Sequence, residues 1–310
     1  PLWMAPEVLE QKEYDESADL YSFGILLWEL VTQKDPYGDM PPNELLEQVC
    51  KNGVRPEMTD AEFPPRLQAL IKRCWDPDPK KRPRFDAILP EFDLIVLEHS
   101  IKDNVGREFW RAHFLDKEDR FQDKVSWKVF GKAFCAHFNK SPLPPDDPRF
   151  RCLKELTCTS KDEMVNIETW GNLLEWFGPL VGFDQLLDDI VNLLKEAWFH
   201  GDLSAADAEK RIATFQKKKG SFLVRFSSRE PGSYAITVMS ASGKLKHYRV
   251  YHKPGLQYLI GKMECASLHE IINNYGAELL LEKPCPGSPF ADIFAAKKDI
   301  SVGYLVPSFD

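Results

Sequence analysis

The strongest constraint in this chain of 310 residues is a charge placed in the middle of a strand-forming run. The run is Ser221-Phe222-Leu223-Val224-Arg225-Phe226-Ser227-Ser228. Its aromatic and β-branched content and its period of two predict a strand. Alternation puts Phe222, Val224 and Phe226 on one face and Leu223 with Arg225 on the other. A guanidinium among Phe, Leu and Val needs a partner, because an unpaired buried charge costs several kcal/mol. Two kinds of partner satisfy it. One is a carboxylate of the same chain. The other is an incoming anion, met by a rigid bidentate fork with two hydroxyls and loop amides just beyond it.

The flanking sequence favours the anion. Trp198-Phe199-His200-Gly201 precedes the strand, and Gly232-Ser233-Tyr234-Ala235-Ile236-Thr237-Val238 and Lys246-His247-Tyr248-Arg249-Val250 follow it. Leu268-His269-Glu270-Ile271-Ile272-Asn273-Asn274-Tyr275 has apolar residues at 268, 271, 272 and 275, the spacing of an amphipathic helix. In this order and spacing the blocks resemble a Src-homology-2 (SH2) domain over roughly residues 198–286. The resemblance implies that Arg225 holds phosphotyrosine, that Ser227 and Ser228 wrap the phosphate, and that His247 and Arg249 line the phenol ring and add a second cation. It assigns Tyr248 and Ile260 to the residues after the phosphotyrosine. A phosphate carries nearly two charges, and only a long, rigid stem carries it to an arginine at the foot of a pocket, so phosphotyrosine reaches where phosphoserine falls short. One position departs from the family: Ala205 stands where many members place a first-helix arginine. Bland alternatives remain, with His247 as a half-buried strand residue and Ser227 and Ser228 as turn residues before Pro231-Gly232.

A second signal lies at the start. Trp3-Met4-Ala5-Pro6-Glu7-Val8 resembles the Ala-Pro-Glu segment that closes a protein kinase activation segment. The apolar stretch from Ser17 to Leu30 resembles the central helix of a kinase C-lobe, and Arg73-Cys74-Trp75-Asp76-Pro77 through Pro83 the turn before its last helix. The wording is closest to the tyrosine-kinase-like group, and the pairing with a C-terminal SH2 domain resembles the amoeboid SH2-bearing kinases. By that resemblance Glu7 pairs with Arg82 and Asp19 accepts amide hydrogen bonds from the catalytic loop. Residues 20–31 are apolar nearly all round, which suits the centre of a lobe, and Pro64-Pro65 opens the next helix. The chain begins with proline and reads as a fragment. No Gly-x-Gly-x-x-Gly occurs in it, and the lysine, His-Arg-Asp and Asp-Phe-Gly of phosphoryl transfer precede Ala-Pro-Glu in family order. The expectation is therefore no catalytic residues and no cofactor in this piece, with ATP and Mg in the parent kinase.

Between the two, residues 103–197 read as helical. Ser126–Phe134 and Asn166–Phe177 each look like an aromatic-rich amphipathic helix after a polar loop. The arrangement resembles the EF-hand-like module beside the SH2 domain of STAT and Cbl-type proteins. A calcium loop needs a Gly at its sixth position and a Glu at its twelfth. From Asp116 these fall on Phe121 and Trp127, and from Ser160 the twelfth is Gly171, so calcium is not expected. The tryptophans suit a core that buttresses the SH2 domain through the apolar run Leu186 to Phe199.

The expected class is multidomain α and α+β: a helical kinase C-lobe fragment over 1–98, a helical linker module over 103–197, an SH2 domain with a central antiparallel sheet flanked by two helices over 198–287, and a tail over 288–310. Linkers are expected at 140–148 and after the run Pro284-Cys285-Pro286-Gly287-Ser288-Pro289. A net charge of −8 excludes a general nucleic-acid or anionic-membrane surface. Seven scattered cysteines from Cys50 to Cys285 lack disulfide or zinc spacing and suit a cytoplasmic, reducing setting, with recruitment to membrane-associated phosphoproteins. No apolar run is long enough for direct membrane insertion. The expected partners are tyrosine-phosphorylated proteins or peptides. A non-catalytic SH2 adaptor or pseudokinase is the competing reading, separated from the first by the upstream lysine and two aspartates. Tyr304 in the tail is a candidate phosphorylation site.

Overall fold

The computed structural model describes residues 1–59, 63–114, 120, 122–158, 162–215, 218–252 and 257–295. It divides into two compact units, Pro1–His99 and Ser100–Asp310. The expected helical module and SH2 domain thus share one unit.

The first unit is helical: α1 (Pro6–Leu9), α2 (Ser17–Thr32), α3 (Pro42–Leu46), α4 (Pro65–Cys74) and α5 (Phe85–Ser100). Proline tolerates a first turn, where its missing N–H bonds nothing, and Pro64-Pro65 does open α4. Tyr21, Ile25 and Trp28 of α2 are buried with Leu45, Phe63, Ile71 and Trp75. Gly24 lets α2 and α4 approach, since a Cβ there would meet the Cys74 Cβ at 3.0 Å. The expectation of an all-round buried helix is corrected at Leu26 and Leu30, which are 42% and 59% exposed.

The second unit opens with two helix–strand–helix halves. The first comprises α6 (Asn104–His113), β1 (Lys124–Ser126) and α7 (Trp127–His137). The second comprises α8 (Pro148–Thr157), β2 (Met164–Asn166) and α9 (Ile167–Phe177). The strands pair antiparallel, Val125 opposite Val165, as in EF-hand pairs. Ser126 caps α7 and Asn166 caps α9, which explains why each helix begins one residue after its polar loop. Phe109, Phe130, Phe134 and Trp170 form an aromatic core with ring centroids 5.2–6.1 Å apart. Gly171 is fixed by packing: a Cβ there would collide with the Ser100 carbonyl. Asp116, Phe121 and Ser160 of the tested calcium loops lie outside the described residues. The expected linker around 140–148 is flanked by two pairs to Asp184 of the helix after α9, Lys140 at 2.8 Å and Arg149 at 3.4 Å.

After α10 (Phe183–Leu194) come α11 (Ala205–Phe215) and three strands, β3 (Ser221–Phe226), β4 (Tyr234–Met239) and β5 (Leu245–Val250). The hairpin β6 (Tyr258–Ile260) and β7 (Met263–Cys265) and helix α12 (Leu268–Leu279) follow, then β8 (Lys283–Pro284) and α13 (Ala291–Phe294). The main sheet has the order β5-β4-β3-β8. It is antiparallel except at β8, which pairs parallel with β3, a refinement of the all-antiparallel expectation. Leu223 faces Ala208 and Ile212 of α11. Phe226, on the other face, meets Trp176 at 4.2 Å and Phe199 at 5.0 Å. Both faces of β3 are therefore covered, one by α11 and one by the helical module.

The segment after Pro289, expected to be a linker, is instead packed through Phe290 and α13, as is the Pro284–Pro289 run before it. Cys285 is buried, Ser288 Oγ donates to the Phe199 carbonyl, and Phe290 stacks on Phe199. Arg151 of α8 donates to the Ile293 carbonyl of α13.

Candidate phosphotyrosine site

Strand register decides which side chains can meet. Arg225 pairs with Ala235 and Ala235 with Arg249; Leu223 pairs with Thr237 and Thr237 with His247. Paired residues share a face, so Arg225, Arg249, Thr237 and His247 line one side of the sheet. Tyr248 pairs with Ile236 and belongs to the opposite row. A cavity of about 230 Å³ opens above the first row, lined by Arg225, Ser227, Ser228, Arg229, His247 and Arg249 among others.

Arg225 is 6% exposed. Its Nη1 donates to the carbonyls of Leu203 at 3.1 Å and Phe226 at 3.2 Å, which fix the guanidinium plane. Its Nε is buried without a hydrogen-bond partner. Burial pulls its pKa down from the usual value, and the Asp202 charge partly offsets this. Among the described residues no carboxylate pairs with it, so the internal-acid alternative does not hold.

The surroundings are built by the loop 227–233 and α11. Ser227 is buried, and its N–H donates to the Ser233 carbonyl at 2.9 Å, closing the loop 227–233. Ser228 is exposed at the cavity wall. Gly232 closes the turn in the left-handed region, φ +84°, and a Cβ there would lie 2.8 Å from the Glu175 carbonyl. Trp176 Nε1 donates to the Ser233 carbonyl at 3.0 Å, so the helical module holds the base of the loop. His247 lies 3.0 Å from Thr237 Oγ1 through Nδ1 and donates from Nε2 to Glu209 at 2.9 Å. Arg249 pairs with Glu230 at 3.7 Å and reaches the Tyr251 hydroxyl at 3.3 Å. Ala205 lines the cavity and offers no cation.

Sequence reasoning did not find Arg229, Glu209 or Glu230, and it placed the tryptophans in a buttressing core without singling out the contact of Trp176 with this loop. Only Arg229 had a usable signal, lying one residue past the two serines. Tyr248 is half-buried and borders the cavity, whereas Ile260 is 3% exposed inside its hairpin and does not line it. His200 is buried behind the site: Arg211 donates to its Nδ1, and its Nε2 donates to the Cys285 carbonyl, both at 3.0 Å. Burial lowers its pKa to about 4; the hydrogen bond to the Cys285 carbonyl opposes this in part, and the Arg211 charge adds a smaller lowering effect.

In the first unit Arg82 grips Glu7 through both terminal nitrogens, at 2.6 and 2.9 Å. It also donates to the carbonyls of Asp76 and Ser17. Burial raises the Glu7 pKa, but the hydrogen bonds and charge of Arg82 outweigh that and hold it below the usual range. Asp19 is exposed in the first turn of α2. The motifs that hold ATP and Mg²⁺ in kinases do not occur in these 310 residues, and no phosphoryl-transfer step is assigned to them.

The family model of protein tyrosine and serine/threonine kinases matches residues 1–92, and that of the SH2 domain residues 198–275. The chain is 33% identical over 317 residues to dual specificity protein kinase shkA of Dictyostelium discoideum, covering 94% of this chain and 58% of that protein. It is 35% identical over 294 residues to shkC of the same organism, covering 89% and 56%. It thus spans a little over half the length of these curated relatives. The solved SH2 domain of a Monosiga brevicollis CRK/CRKL homolog is 31% identical, covering 30% of this chain and 88% of that one, at a TM-score of 0.27. The chain belongs to the SH2-bearing protein kinases of the amoeboid type, joining the C-terminal part of a kinase domain to an SH2 domain through a helical module.

Proposed function

We propose that this chain is the targeting part of a dual specificity protein kinase and that its SH2 domain docks tyrosine-phosphorylated proteins. The observation that carries the proposal is Arg225, a buried guanidinium with two carbonyl anchors, an unpartnered Nε and an open cavity above it. A phosphate oxygen completes what that nitrogen lacks. The carbonyls of Leu203 and Phe226 set the fork beforehand, so little conformational entropy is lost on binding. Ser227, Ser228 and the loop amides supply further donors, and Arg249 or Arg229 supplies the second positive charge that Ala205 does not.

In the parent protein, docking would raise the local concentration of phosphoprotein substrate beside the kinase domain, which uses ATP and Mg²⁺. A cytoplasmic setting belongs to the same proposal and rests on the scattered cysteines. Calorimetry with one peptide in phosphotyrosine, phosphoserine and unphosphorylated forms tests the binding. Only the first is expected to bind; equal binding of the phosphoserine form would defeat the argument from reach.

A further inference from the structure

We infer that His113 and His137 form a chelating site for one divalent transition-metal ion, Zn²⁺ in the first instance. The two residues close α6 and α7, and His113 Nε2 lies 3.3 Å from His137 Nδ1. At the usual Zn–N length of about 2.0–2.1 Å, that separation corresponds to an N–Zn–N angle of about 107°, close to tetrahedral. The two nitrogens thus stand at the separation that one ion held by both requires.

The rings are held in place. Phe109 packs against both, with centroids at 5.3 Å from His113 and 5.2 Å from His137, and Phe138 lies 5.0 Å from His137. The aromatic rings cover the inner side, while His113 is exposed and His137 half-buried, which leaves the outer side open to water. Each histidine is the last residue of its helix, where the unpaired carbonyls favour positive charge. Among the described residues no group of three His, Cys, Asp or Glu could hold a metal. The site's protein ligands among the described residues are the two imidazoles, unlike the oxygen-lined loops of a calcium-binding EF-hand. The bound ion would bridge the ends of the two helices around the aromatic core.

The test is a ZnCl₂ titration of the whole chain under reducing conditions, followed by calorimetry and by the imidazole ring signals in NMR. The expected result is one ion per chain, with the His113 and His137 signals shifting together. At a hundredfold excess over the dissociation constant, the melting temperature should rise on the order of 5 °C. His113→Asn and His137→Asn should each weaken binding at least tenfold while the melting temperature without metal stays near that of the wild type. His99→Asn, outside the pair, should leave it unchanged and thereby separates this site from general histidine or cysteine binding. Undiminished zinc affinity in both single variants, or no shift of the two ring signals, would overturn the inference. Because His113 is exposed, its variant remains a valid test if His137→Asn folds poorly.

Discussion

At the scale of single residues, the site depends on Arg225 being prepared but not neutralised. Its Nη1 has two carbonyl acceptors and its Nε has none. Arg225→Ala should lower phosphotyrosyl-peptide affinity about 100-fold or more, in the range for truncating one partner of a buried, hydrogen-bonded charge pair. The fold should survive, because no carboxylate is stranded by the change. Arg225→Lys should not rescue binding, since an ammonium cannot reproduce the planar fork. Titration calorimetry alongside thermal melts checks both statements; a variant that unfolds would assign Arg225 to stability instead. Arg225, His247 and Arg249 were legible because period-two alternation and strand pairing together fix a shared face. Glu209 and Glu230, which pair with the last two, were not. One comes from a helix and one from a loop, and no periodicity in the strand reports what a neighbouring element brings to it.

At the scale of elements, the loop 227–233 is held from outside its own domain motif. The Trp176 ring lies on Phe226 at 4.2 Å while its Nε1 holds the Ser233 carbonyl, and Gly232 fits against the Glu175 carbonyl because it has no Cβ. Trp176→Phe keeps an aromatic surface and removes the donor. It should cost about 1 kcal/mol of stability and weaken phosphopeptide binding several-fold, although Trp176 never touches the ligand. Hydrogen exchange across residues 227–233 should speed up in that variant. Unchanged exchange and affinity would mean the loop holds itself. Sequence reasoning placed both helices after their polar loops and expected the module to act as a buttress, since capping and 3.6-residue periodicity are local signals. It expected the tryptophans to act through the run Leu186 to Phe199, whereas Trp176 contacts the loop directly. The Pro-rich run Pro284–Pro289, read as the entry to a linker, misled for a related reason. Proline and glycine mark irregular backbone equally well in a free linker and in a chain packed through Cys285, Ser288 and Phe290.

At the scale of the whole molecule, the two units carry titrating groups that respond to different pH ranges. His200 in the second unit has a folded pKa of about 4, against about 6.5 when unfolded. Between those values the unfolded chain holds the proton and the folded chain does not, so stability falls as pH drops through this window. It is fully present above pH 6.5 and levels off below pH 4. The shift corresponds to about 3 kcal/mol, or on the order of 6–10 °C in melting temperature for a unit of this size. His113 and His252, whose pKa values burial also lowers, act with the same sign. Glu7 in the first unit behaves differently. Its pKa lies below 4.5, so the stability from its pair with Arg82 persists through the histidine window and is lost only as pH falls through the lowered value. Calorimetry from pH 7 to 4.5 should therefore move the transition of the second unit down while leaving that of the first nearly in place. His200→Gln keeps an uncharged amide beside the Cys285 carbonyl and should remove most of the movement. A second-unit transition that shifts equally in the variant would show that His200 is not the group being protonated.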